Sequence, residues 1–144
     1  MKLPTAFRYV EATTVDAWAA KHGITHISVL SVDTEGWDAL VLEGADGMLS
    51  RRQIDALEFE YHSVGLWSPS APETDRRTLK AAVARLWQHG YTCFFAGKAS
   101  PAVIAVNGPH WCDHYEIHQA SNIVCAHALE TVARMFNLAH TTPW

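Results

Sequence analysis

The sequence has no cysteine pair at C-x-x-C spacing, no stripe of basic residues, and no apolar run approaching the ~20 residues a bilayer-spanning helix needs. Each absence closes off a class of protein. Three cysteines (Cys93, Cys112, Cys125) are an odd count without a metal-binding spacing, and they read as reduced, partly buried thiols of an intracellular protein. The eleven Lys and Arg are scattered, adjacent only at Arg51-Arg52 and Arg76-Arg77, and the net charge is −4, so nucleic acid is not an expected partner. The first twenty residues carry Arg8, Glu11 and Asp16 and no apolar segment of signal-peptide length. The expectation is a soluble, cytoplasmic protein with no membrane partner.

What is present is the material of one globular domain. A chain of 144 residues, 49% apolar and with six Trp, can bury roughly 70% of its unfolded surface. The most informative stretch is Ile27 to Ala45, ISVLSVDTEGWDALVLEGA. An apolar run to Val32 reads as a strand buried on both faces. It stops at Asp33-Thr34-Glu35-Gly36, after which Trp37, Leu40, Val41, Ala45, Met48 and Leu49 follow helical spacing. Gly44 and Gly47 weaken that helix, and Gly44-Ala45 would let it sit close on the sheet.

Around this stretch the chain punctuates itself. Phe7 to Val10 is at most a short strand. Thr13 or Thr14 caps a helix carrying Val15, Trp18, Ala19 and His22, with Asp16 suiting the helix dipole and Gly23 as the stop. Ile54 to Tyr61 (IDALEFEY) is a second strand, Ser63 to Asp75 a loop, and Leu79, Ala82, Val83, Leu86 and Trp87 the cleanest amphipathic stripe. Gly90 precedes a strand from Tyr91 to Ala96, and Ala102 to Val106 suggests an extra one. A His-rich loop runs from Asn107 to Ser121, then a strand from Asn122 to Ala126 and a last helix through Leu129, Val132, Ala133 and Phe136, about residues 128–138. Alternating strands and helices imply parallel crossovers.

At this point TVD at Thr14 to Asp16, SVDTEGWDALVLEGA at Ser31 to Ala45, and EFE at Glu58 to Glu60 resemble the C-terminal half of FkbM-type methyltransferases. The resemblance covers roughly residues 11–126 of a single partial domain spanning 1–144. It implies an α/β fold: half of a doubly wound, Rossmann-like sheet, with the strand ending at Asp33 the fourth of seven and Ile54 to Tyr61 the fifth. Tyr91 to Ala96 and Asn122 to Ala126 would be the last two strands, one of them antiparallel at the edge. It further implies S-adenosylmethionine as cofactor and a small-molecule or glycan hydroxyl as methyl acceptor. Such folds approach the cofactor with a Gly-rich loop after the first strand. Here no G-x-G precedes Gly23, so either the first strands belong to a missing segment or a partner supplies them. An exposed sheet edge would then invite self-association or another chain.

Four residues are the candidate catalytic set. Asp33 and Glu35, at the carboxyl end of a parallel strand, would face a ligand crevice, where a carboxylate orients or deprotonates a hydroxyl or holds a divalent cation. Asp33 is equally suited to capping the next helix. Glu60 would stand about 5 Å away across neighbouring strands. His62 is the best-placed imidazole for general-base work, although surface His and Glu are common in loops. Trp37 and Trp67 would line an apolar pocket or simply pack. His114 and His118, four apart and near Cys112, would share a helix face, but the set falls short of a four-ligand zinc site and no metal is assigned. The competing reading of the whole chain is a non-catalytic remnant or binding module of the same fold.

Overall fold

The computed structural model describes residues 10–96, 104–128, 130–131 and 133–134. Helix α1 (Val15–His22) begins at Thr14, whose hydroxyl accepts from the Ala17 amide at 3.1 Å, and ends at Gly23 in the left-handed conformation. Strand β1 (Ile27–Val32) leads through the acidic turn to two short helices, α2 (Asp38–Glu43) and α3 (Asp46–Ser50). Strand β2 (Ile54–Tyr61), helix α4 (Leu79–Gln88), strands β3 (Thr92–Ala96) and β4 (Ile104–Ala105), and strand β5 (Ser121–Ala126) follow.

The five strands form one sheet in the order β1-β2-β5-β3-β4. Only the β1–β2 pairing is parallel, and the other three pairings are antiparallel. The fold is therefore α/β with a mostly antiparallel sheet. The expected antiparallel edge strand is corrected in position: β5 lies in the middle, between β2 and β3, and the short β4 takes the edge. Sequence order cannot reveal this, because β5 returns from a long loop to fill a gap between two strands already laid down.

Leu57, Phe59 and Tyr61 of β2, Cys93 of β3, and Ile123 and Cys125 of β5 point into the main core, where they meet Leu42, Met48, Leu49, Leu79, Val83 and Leu86 of the helices. The alternation of strand side chains sends Ala56, Phe94 and Ala126 to the opposite face, where Ala105 joins them in a smaller cluster. At the start of β2, buried Tyr91 donates its hydroxyl proton to the Ile54 carbonyl at 2.5 Å, and burial pushes its pKa up to about 12.

Several local expectations change. Strand β1 is not buried on both faces: among its residues only Val32 is fully buried, and Val29 is 67% exposed, because β1 lies at the sheet edge. The single helix after the turn is two, broken at Gly44-Ala45, and Trp37 and Leu40 point outward while Asp38, Ala39 and Leu42 are buried. Gly44 makes its close approach to the Thr14 side chain rather than to the sheet. Asp16 serves a different helix from its own, accepting from the Gly47 and Met48 amides of α3 at 2.7 and 2.8 Å. Cys93 and Cys125 are not free thiols: they are register partners on β3 and β5 and form a buried disulfide. The Phe7 to Val10 strand falls mostly outside the described residues, as do Leu129, Val132 and Phe136 of the last helix, although Glu130, Thr131, Ala133 and Arg134 are helical. No helix among the described residues is long and apolar enough to cross a membrane.

Candidate functional site

The acidic turn is held by a residue that sequence reasoning passed over. Asp38 is fully buried, and its carboxylate accepts from the Thr34 hydroxyl at 3.1 Å, the Gly36 amide at 3.2 Å and the Glu60 amide at 3.2 Å. One side chain thus closes the turn and ties it to the end of β2. The backbone that makes this possible is unusual, with Glu35 at φ 53° and Gly36 at φ 94°. A Cβ on Gly36 would stand 2.5 Å from the Val64 carbonyl oxygen and 2.8 Å from the Gly65 Cα, so glycine is required by contact as well as by conformation. The Leu66 amide completes the junction by donating to the Gly36 carbonyl at 2.9 Å. The signal for Asp38 was present as a Thr and an Asp four apart astride a glycine, but burial is what converts it from an ordinary helix-start acid into an anchor.

With the turn fixed, Asp33 and Glu35 are both exposed, and neither carboxylate has a hydrogen-bond partner among the described residues. Val32 is paired in register with Phe59, so Asp33 and Glu60 are the next residues on adjoining strands. Alternation places both on the sheet face opposite the main core, in line with Ser31 and Glu58. Glu58 is engaged, accepting from the Asn122 side-chain amide at 2.6 Å. Glu60 keeps a side chain 39% exposed, with its Oε2 3.7 Å from the His62 Nε2.

His62 is largely buried. Its side chain is only 11% exposed, and its Nδ1 accepts the Val64 amide at 3.2 Å. The neutral ring therefore carries its proton on Nε2, which is buried without a hydrogen-bond partner on the Glu60 side. A ring with its lone pair spent on the backbone and its proton facing a carboxylate is poorly set up as a general base. Of the two, Glu60 is the group with the more exposed side chain.

The remaining candidates disperse. Trp67 is completely buried, stacked on Phe59 and edge-on to Tyr61. Trp37 is 54% exposed and forms a groove with Leu40, Val41, Gly44 and the Thr13 to Val15 segment, directly after the turn. The His-rich loop contains two 3-10 turns, and neither spans both His114 and His118. Its Glu116 caps α4, accepting from the Leu79 and Lys80 amides at 2.8 and 3.0 Å and from the Tyr61 hydroxyl at 3.1 Å. Tyr61 in turn accepts from the His118 amide, and burial pushes its phenol well above the ordinary range. No group of three His, Cys, Asp or Glu side chains converges for a metal among the described residues.

An acidic turn at the end of a parallel strand, followed by a helix and faced by a second acid on the next strand, is the arrangement that α/β folds place beside a ligand crevice. Residues 4–93 match the family described as the Methyltransferase FkbM domain, and the chain belongs to that family. No curated protein and no solved structure matches it.

Proposed function

We propose that this methyltransferase-like chain carries the acceptor side of a methyl transfer to oxygen, on a small molecule or a glycan. The observation that supports it is the Glu60–His62 pair, a partly exposed carboxylate whose Oε2 lies 3.7 Å from the imidazole Nε2, beside Asp33 at the open end of the parallel strands. In this reading Glu60 takes the proton from the acceptor hydroxyl, and His62 holds that carboxylate in place. Asp33 and Glu35 bind neighbouring hydroxyls of the acceptor, which suits a polyhydroxylated molecule, and the Trp37 groove takes its apolar part.

By family, the methyl donor would be S-adenosylmethionine. The described residues do not fit a cradle for it: β1 is at the sheet edge, and the close approach that Gly36 offers is filled by the backbone of Val64 and Gly65. The same observation favours the second reading, a non-catalytic module that keeps the fold.

Titration of the folded chain with S-adenosylmethionine separates the two. Saturable heat, with label transfer to a hydroxyl acceptor that falls by about a hundredfold or more in Glu60→Gln, supports the enzyme. A folded chain giving neither heat nor transfer supports the module.

A further inference from the structure

Cys93 and Cys125 face each other in register on β3 and β5, and both are completely buried. Their side chains lie in the main core with Leu57 and Phe59 of β2 and with Val83 and Leu86 of α4. Strand β5 is flanked by β2 on one side and β3 on the other. Cys93 is also fixed on the side away from β5. Its amide donates to the Asn107 side-chain oxygen at 3.1 Å, and its carbonyl accepts from the Val106 amide at 2.9 Å. Thiol–disulfide exchange needs a thiolate to reach a sulfur atom. A thiol therefore meets this bond only when β3 parts from β5 or α4 lifts from the sheet.

We infer that the Cys93–Cys125 bond is a one-way redox latch on β5. Before β5 takes its place, both thiols are open to a small disulfide oxidant. One protein thiolate displaces a thiolate from the oxidant, and the second displaces the other as the protein S–S bond forms. The two protons follow to the departing thiolates, so the oxidant leaves as two thiols. Once the strand is inserted the bond is sealed in the core, and a reductant reverses it only after the structure opens. The latch holds more than one strand pair. On β5, Asn122 is the register partner of Glu60 and donates its side-chain amide to Glu58 at 2.6 Å, so fixing β5 also fixes the acidic end of β2. Burial and register carry the latch whether or not Glu60 acts on an acceptor.

The exposed free Cys112 provides an internal control for reagent access. In native buffer with dithiothreitol, alkylation followed by mass spectrometry should find Cys112 labelled at once and Cys93 and Cys125 protected. Their reduction should run about a hundredfold or more slower than in the urea-denatured chain, and should speed up in sub-denaturing urea. This rate is read on the parent chain, so it decides even if a variant fails to fold. The double variant Cys93→Ala/Cys125→Ala should exchange its β5 amide hydrogens about tenfold or more faster than the oxidised parent, with the α1 amides unchanged. Native reduction as fast as in the denatured chain would overturn the inference. So would three free thiols in a chain refolded with oxidised glutathione, β5 amides equally protected without the bond, or a loss of protection equal in β5 and α1.

Discussion

At the scale of single residues, the candidate site depends on a carboxylate that never meets solvent. Asp38 satisfies three donors at once, two from the acidic turn and one from the end of β2, and all would be stranded by its removal. Leaving buried donors unpaired is more damaging than losing the bonds themselves, so Asp38→Ala should lower stability by about 3 kcal/mol in chemical denaturation. The exposed acids are different: Asp33→Asn or Glu35→Gln removes no such anchor. A denaturation midpoint for Asp38→Ala equal to theirs would show that the turn does not rely on this side chain.

At the scale of elements, helices α3 and α4 are linked by charge. Asp46, the first residue of α3, accepts from the Arg85 Nε at 2.6 Å and lies 2.7 Å from the His89 Nε2. The Arg85 guanidinium, foremost, with His89 aiding it, holds the Asp46 carboxyl down at about 2, against its ordinary 3.8. A folded-state pKa below the unfolded value means stability that is fully present above 3.8 and is lost as pH falls through about 2. Because Asp46 is one-third exposed and Arg85 nearly half, solvent and salt reduce the size of the effect. Asp46→Asn should be less stable than the parent above pH 3.8, and the gap should close as pH drops toward 2. Acid titration of the melting temperature reads this out, and a gap that persists at low pH would assign the effect to packing instead.

At the scale of the whole molecule, the sheet is closed by a covalent bond as well as by its ladder. The Cys93–Cys125 bridge joins β3 to the inserted β5 across 32 residues of sequence and holds the His-rich loop against the fold. A loop of that length corresponds to about 3–4 kcal/mol of chain-entropy stabilisation, so reduction should lower the unfolding midpoint in denaturant accordingly. Without reductant, the denatured chain should react with one equivalent of maleimide, at the exposed Cys112. Three equivalents would show that the two strands are held by hydrogen bonds and packing alone.

The sequence by itself determined the elements and the motif. The period of the α4 stripe, the Thr14 cap with the Gly23 stop, and the break of an apolar strand at Asp33-Thr34-Glu35-Gly36 are local signals, written within a few residues of where they act. They were legible for that reason, and so was the family. Tertiary structure alone decided what depends on residues far apart in sequence. It placed β5 between β2 and β3, brought Cys93 to Cys125, and left Val29 in the open. It also made Asp38 a buried anchor through the distant amide of Glu60.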